Sequence, residues 1–215
     1  MIISSPKIVY RFGNNLYLNI TNRCQNLCVF CIKTKWKMDF HGNNLNLAGH
    51  EPSAPEILSA LEIELKKAPF DEVVFCGYGE TTMRLEVLLF VAQTLKGWQA
   101  KAKFPPFKIR LNTNGLGARI NHKPIVPQLR QVIDSVNVSV NAENETVWQQ
   151  LVRPETEYRD AYPDVLAFLQ DCVEAGFEKV ILSCVENTGA DTGALAVMAR
   201  EYGAQLYVRS FLDED

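Results

Sequence analysis

Short β-branched and aromatic runs alternate with helical patterns along the whole chain, and this alternation restricts the fold more than any other feature. Leu16 to Ile20, Glu72 to Cys76, Ile109 to Thr113, Ser135 to Val140, Lys179 to Val185 and Gln205 to Phe211 read as strands. Several are near-continuous apolar runs of the kind buried in parallel sheets. Between them, Ser53-Ala54-Pro55-Glu56 has the form of a capping box with proline in the first turn. Ile57, Leu58, Leu61 and Leu65 then recur on one helical face. Leu85 to Leu95, Ile125 to Val132, Glu145 to Leu151, Ala161 to Ala175 and Asp191 to Tyr202 continue the series, and Gly176 and Gly203 end the last two. Strand alternating with helix demands right-handed βαβ units and a parallel sheet. Six such units fall short of the closed eight-unit barrel, which takes ~250 residues. An α/β fold built as an open, partial (β/α)6 barrel is expected, with residues 1–215 as one domain. A doubly wound open sheet satisfies the same alternation.

The composition suits such a core. The chain has 215 residues, 47% of them apolar and 22% charged, with a net charge of -3. Intrinsic disorder requires the opposite balance, and the slight negative charge argues against a protein held mainly on phosphate backbones. Apolar runs reach only about six residues where a membrane span needs ~20. The opening MIISSPKIVYRFG lacks the apolar stretch of a signal peptide. A cytoplasmic protein with no membrane partner is expected.

In a reducing compartment, clustered cysteines bind metal or do redox chemistry more often than they form disulfides. Cys24, Cys28 and Cys31 fall within eight residues, directly after the first strand. Thiolates suit zinc or iron–sulfur clusters. A closed site normally needs four protein ligands. Three cysteines hold three corners of a [4Fe-4S] cube and leave one iron open to another molecule. The competing reading is a zinc knuckle or structural cluster that borrows Cys76 or His41. Cys76, Cys172 and Cys184 lie in strand or helix runs and are expected to pack as small hydrophobes.

Polar residues gather where the predicted strands end. Gly77-Tyr78-Gly79-Glu80 follows the second strand; glycines there allow close approach of a backbone to a ligand, and Glu80 offers a carboxylate to an ammonium group. Asn112-Thr113-Asn114-Gly115 follows the third, and Ser139 and Asn141 share one face at the end of the fourth. Glu186 follows the fifth, and Arg209 lies in the sixth. Barrel active sites are built at this end of the strands. The stretch from about 34 to 53 lacks periodicity, and long structureless connections are usually functional loops. It opens on Lys33, Lys35, Trp36, Lys37 and Met38, where lysines around an aromatic suit an anionic, stackable group. His41 and His50 also lie there.

CQNLCVFC resembles the CxxxCxφC signature of the radical S-adenosylmethionine (SAM) enzymes, in which φ is aromatic. The likeness runs over roughly residues 14 to 211. It implies a [4Fe-4S] cluster on Cys24, Cys28 and Cys31 that donates an electron to S-adenosylmethionine, yielding a 5′-deoxyadenosyl radical that abstracts hydrogen from a substrate. It implies cosubstrate contacts from Gly77, Tyr78, Gly79 and Glu80, with GYGE in place of the commoner GGE form. Asn114, Ser139, Asn141, Glu186 and Arg209 would complete that site. The order CxxxCxFC, FCGYGETTMR, RLNTNG and VSVNAENxxxWxxLxRP further resembles the small TatD-associated radical SAM proteins, a likeness that supplies no substrate. Arg153 of its last motif is a candidate for an anionic group. The implied partners are a flavodoxin- or ferredoxin-like one-electron reductant and a small-molecule or nucleotide-like substrate. A glycyl-radical activase acting on a partner protein, and a non-enzymatic iron–sulfur or zinc-binding module, are the alternatives.

Overall fold

The computed structural model describes residues 5–35 and 37–211, with only the backbone of Lys35. Trp36 lies outside the described residues. Strands β1 (Val9–Phe12) and β2 (Asn15–Leu18) form a tight antiparallel pair across the turn at Gly13. Next come helix α1 (Ile32–Lys35), strands β3 (Asp39–Phe40) and β4 (Asn43–Asn44), and helix α2 (Ala54–Leu65). Strand β5 (Glu72–Phe75), helix α3 (Leu85–Ala100) and strand β6 (Lys108–Thr113) follow. Two short helices, α4 (Gly117–Ile120) and α5 (Val126–Leu129), lead to β7 (Ser135–Ser139). The chain continues through α6 (Glu145–Val152), α7 (Tyr162–Glu174), β8 (Lys179–Val185), α8 (Thr192–Tyr202) and β9 (Gln205–Arg209).

The main sheet runs β1-β2-β5-β6-β7-β8-β9. All neighbours from β2 onward are parallel. Its ends are β1 and β9, so the sheet is open, as a partial (β/α)6 barrel requires. The expected six parallel strands are present. The antiparallel β1 is an addition, because VYRF is too short and mixed to read as a strand alone. The expected capping box forms at α2: Ser53 Oγ accepts from the Glu56 amide while the Glu56 carboxylate accepts from the Ser53 amide. The stretch expected to be structureless carries the β3–β4 hairpin.

One face of the sheet is apolar. Leu16, Leu18, Val73, Phe75, Ile109, Leu111, Val136, Val138 and Leu182 pack against Ile57, Leu61, Leu88, Val91, Leu95, Val165, Phe168 and Leu169 of the helices. Cys172 and Cys184 belong to this core, as expected. The strands are not buried apolar runs on both sides, however. Period-two alternation turns Asn15, Glu72, Cys76, Arg110, Asn112, Asn137, Ser139, Ser183 and Arg209 to the inner face. Cys76 is therefore absent from the core that claims Phe75, contrary to the expectation that it packs as a hydrophobe.

Candidate active site

The cysteine-bearing loop leaves the end of β2 and is strapped at both sides by backbone hydrogen bonds. On one side it meets the segment after α6. The Leu27 amide donates to the Arg153 carbonyl (3.1 Å), Val29 to Leu151 (2.9 Å), and the Glu155 amide to Gln25 (2.9 Å). Arg153 takes a left-handed conformation at the end of α6, φ 47°, which turns this strap toward the loop. The Arg153 side chain is exposed. The main chain of Arg153 serves the cysteine loop, while its side chain points to solvent-accessible space.

On the other side the loop meets GYGE. The Glu80 amide donates to the Arg23 carbonyl at 2.8 Å. A Cβ at Gly79 would lie 2.5 Å from the carbonyl oxygens of Thr21 and Arg23. A Cβ at Gly77 would lie 2.8 Å from Asn19 Cα. Both glycines are needed because the chain leading into Cys24 passes against them, which is closer packing than a side chain permits. On this side the close approach that the glycines permit is made by the protein's own backbone.

Glu80 is 4% exposed, and its carboxylate ties β5 to β6. Oε1 accepts from the Thr82 amide (3.0 Å), Thr82 Oγ1 (2.7 Å) and Thr113 Oγ1 (2.8 Å), while Oε2 accepts from the Asn114 amide (2.8 Å). Thr82 and Thr113 lie within the GYGETTMR and NTNG motifs, but their spacing alone assigns them no role, because their shared partner Glu80 is set by the tertiary fold. Oε2 retains a lone pair for a further donor. Tyr78 departs from the commoner glycine for a visible reason. Its ring packs with Tyr10, Phe40 and Leu45 of the β1 and β3–β4 region, and its hydroxyl donates to the Asp39 carbonyl. The long loop is therefore anchored to GYGE.

Around this centre, the three thiols lie near enough to act on one another. Burial, then the Glu80 carboxylate, pushes the Cys24 thiol up to about 12, with a further upward push from Cys31. Burial raises Cys28 as well, followed by the charges of Cys24 and Cys31. The Arg209 guanidinium opposes that rise at Cys28, and it lies 5.8 Å from the Phe30 ring centroid. Lys33 opposes the rise at Cys24, and its ammonium donates to the Asn22 carbonyl at 2.6 Å. Lys33 thus braces the loop rather than waiting free for a substrate. Lys37 is exposed and lies outside the regular elements. His41 stacks on Phe12, and His50 pairs with Glu56 at 2.9 Å.

Among the described residues, several buried amide atoms are left without partners. They include Asn114 Nδ2, Asn141 Oδ1, Asn137 Oδ1 and both polar side-chain atoms of Gln25, a residue 2% exposed. Asn141 takes a left-handed conformation, φ 64°, just past β7, and its Nδ2 donates to the Ser139 carbonyl at 3.0 Å. The Glu186 amide donates to the Arg209 carbonyl at 3.0 Å, joining the ends of β8 and β9. Among the described residues, no group of three or more His, Cys, Asp or Glu forms a site for a single metal ion.

Crowded thiols raise one another's proton affinity, and a positively charged centre between them would relieve that repulsion. The orphaned donor on Asn114 and acceptor on Asn141 call for a polar ligand beside Glu80. A three-thiol donor set with these neighbours fits an iron–sulfur cluster and a zwitterionic cosubstrate.

An open parallel sheet with a three-cysteine loop at the carboxyl end of its first parallel strand defines a class of partial-barrel, thiolate-dependent proteins. The radical SAM superfamily profile matches residues 18–189, and the chain belongs to that superfamily. Its members are enzymes that use a [4Fe-4S] cluster and S-adenosylmethionine. Among solved structures, TYW1 with a lysine-pyruvate adduct bound is similar at 12% identity and a TM-score of 0.59, over 93% of this chain and 65% of that one. The [FeFe]-hydrogenase maturase HydG is similar at 15% identity and a TM-score of 0.64, over 92% of this chain and 42% of that one. HydG from Carboxydothermus hydrogenoformans, at 16% identity and a TM-score of 0.59, matches over 92% and 44%. The chain thus spans between about two fifths and two thirds of the length of these structures. No curated protein matches it by sequence. No helix of the described residues is long and apolar enough to cross a membrane.

Proposed function

We propose that this protein is a radical SAM enzyme whose cluster is held by Cys24, Cys28 and Cys31 and whose substrate is a small polar or nucleotide-like molecule bound on the inner face of the sheet. The observation that carries this reading is the packing of the cysteine loop on GYGE through the Arg23–Glu80 hydrogen bond and the Gly79 contact. This packing supports a site in which the three thiols and the strand-end polar groups act together. When bound, the cluster and S-adenosylmethionine supply a carbon radical by one-electron reduction. The chain's own residues do the rest.

Gly77, Tyr78 and Gly79 present main-chain groups to the methionyl end of the cosubstrate. Glu80 holds these groups to β6 and keeps one lone pair of Oε2 for the ammonium. Asn114 and Asn141 supply a donor and an acceptor beside it, with Ser139 and Glu186 at the neighbouring strand ends. Arg209 shields the Cys28 side of the loop and faces the inner chamber. The hairpin anchored by Tyr78 covers the β1–β2 end and keeps water from that side. A flavodoxin- or ferredoxin-like donor is the reductant in this reading, and the cytoplasm its setting. Residues 1–215 act as one domain. Within the superfamily we place the protein with the small TatD-associated members, on CQNLCVFC, FCGYGETTMR, RLNTNG and the Trp148–Pro154 motif. The strap from Leu151 to Glu155 gives that last motif a purpose as support for the cysteine loop.

The test is anaerobic reconstitution with iron and sulfide, reduction with dithionite and addition of S-adenosylmethionine. The expected result is 5′-deoxyadenosine from the wild type and none from Cys28→Ala. Zinc binding at four ligands with no cleavage would overturn the proposal.

A further inference from the structure

Cys76 is the one cysteine whose place contradicts its expected role. Leu18 pairs with Phe75, Phe75 with Leu111, and Asn112 with Asn137 in the sheet registers. One residue further along β5 and β6, Cys76 therefore stands beside Asn112. Cys76, Asn112 and Asn137 form a row across the inner face. The Asn112 amide and the charges of Arg110 and Arg209 lie near enough to the Cys76 sulfur to favour its thiolate, against the upward push of burial. Arg110 is itself held by Glu72 at 2.9 Å and donates to Asn112 Oδ1 at 3.0 Å. The Asn112 carbonyl is thus occupied from below, which leaves its amide to the thiol.

A second observation favours a ligand on this row. Asn137 is 7% exposed, and its Oδ1 has no hydrogen-bond partner. Val136 and Val138 on either side belong to the helix-covered core, so Asn137 faces the opposite, inner side. A buried acceptor left unpaired in this way costs free energy unless a ligand donates to it. Cys76 itself is partly exposed, whereas Cys172 and Cys184 are buried in the core.

We propose that Cys76 is the hydrogen-atom donor that ends the reaction on a polar substrate lying across the row Cys76–Asn112–Asn137, with a hydroxyl or amine of the substrate donating to Asn137 Oδ1. This rests on the radical reading above. Transfer of a hydrogen atom requires S–H, not thiolate, and burial raises the proton affinity of this thiol, outweighing the opposing Asn112, Arg110 and Arg209. The S–H bond is weaker than the C–H bond it would make, so the step runs downhill. After hydrogen abstraction and rearrangement or fragmentation, the substrate's carbon radical takes the hydrogen of Cys76. A C–H bond forms, the S–H bond breaks, and a thiyl radical remains. One electron from the same flavodoxin- or ferredoxin-like donor and one proton from solvent restore the thiol. Each cycle then consumes two electrons and one proton while the substrate suffers no net oxidation.

The experiment needs no knowledge of the substrate. Reconstituted, reduced protein is given S-adenosylmethionine in deuterated water, where Cys76 carries S–D, and the deuterium content of the 5′-deoxyadenosine formed is measured. In parallel, the cluster-loaded chain is treated with methyl methanethiosulfonate and its modified cysteines are mapped. The wild type is expected to show deuterium in 5′-deoxyadenosine. The fraction labelled should fall severalfold in both Cys76→Ser and Cys76→Ala, and the reagent should mark Cys76 while sparing Cys172 and Cys184. An unchanged labelled fraction in the two variants, or a Cys76 as unreactive as Cys172, would overturn this inference alone. Absence of 5′-deoxyadenosine from the wild type would overturn the radical reading and this inference with it.

Discussion

Replacing Gly79 with alanine is the most direct probe of how the site is assembled. The added methyl would sit 2.5 Å from the carbonyl oxygens of Thr21 and Arg23 and 2.9 Å from the carbonyl carbon of Asn22. These are backbone atoms, with no flexible side-chain end to swing aside. Reaching ordinary van der Waals contact requires the Thr21–Arg23 segment to retreat by roughly 0.9 Å. That retreat stretches the 2.8 Å bond from the Glu80 amide to Arg23 beyond useful range. Losing the bond costs about 1 kcal/mol, and overpacking adds about 1–3 kcal/mol. At about 2–4 °C per kcal/mol for a chain of this size, Tm should fall by about 4–16 °C. Since Cys24 is the next residue after the displaced segment, iron uptake on reconstitution should fall as well. Gly97→Ala is the control: it lies within α3 and a Cβ there meets nothing within 4 Å. It should raise stability by about 0.5–1 kcal/mol, through helix propensity alone. A Gly79→Ala protein that melts with the wild type and takes up a full complement of iron would refute the close-packing argument.

Two other features carry expectations of the same kind. Tyr78→Phe removes the hydroxyl that donates to the Asp39 carbonyl while keeping the ring among Tyr10, Phe40 and Leu45; limited proteolysis between residues 37 and 50 should accelerate roughly fivefold, the effect of about 1 kcal/mol on local opening, and an unchanged rate would show that the ring alone secures the hairpin. At α2, the Ser53 hydrogen bonds, with His50, hold the Glu56 carboxyl down to about 2 from an ordinary 4.5. The group binds a proton less readily folded than unfolded, so its stabilising contribution is present above 4.5 and is lost as pH falls toward about 2. Glu56→Ala should lower Tm at neutral pH by an amount that shrinks in melts recorded below 4.5, whereas a gap independent of pH would contradict the charged capping box.

The spacing of Cys24, Cys28 and Cys31 and the alternation of strands with helices are local properties, and a reader of the chain finds them without coordinates. A capping box such as Ser53–Glu56 is equally local, and it forms as read. Strand ends rich in Asn, Ser and Glu were also visible, because sequence order places them at one edge of a parallel sheet. The meaning of other residues depended on partners far along the chain. Lys33 looked like a substrate contact until its ammonium was found on the Asn22 carbonyl. Arg153 looked like an anion site, yet its carbonyl, 126 positions from Leu27, is what supports the cysteine loop.

What the sequence alone determined is therefore the class of fold, the three-cysteine spacing and the gathering of polar residues at one edge of the sheet, since each follows from periodicity or spacing within a few residues. What only the tertiary structure decided is which groups remain free to act. The Cα side of Gly77 and Gly79 is packed by the chain entering Cys24, the Tyr78 ring by the hairpin, and the Glu80 carboxylate largely by Thr82, Thr113 and Asn114. Cys76 and Asn137 lie on the inner face of the sheet, opposite the helix-covered core. The reason is physical: a strand's pleat and its register with neighbouring strands set the direction and company of each side chain, and neither is written in the spacing of residues along one strand.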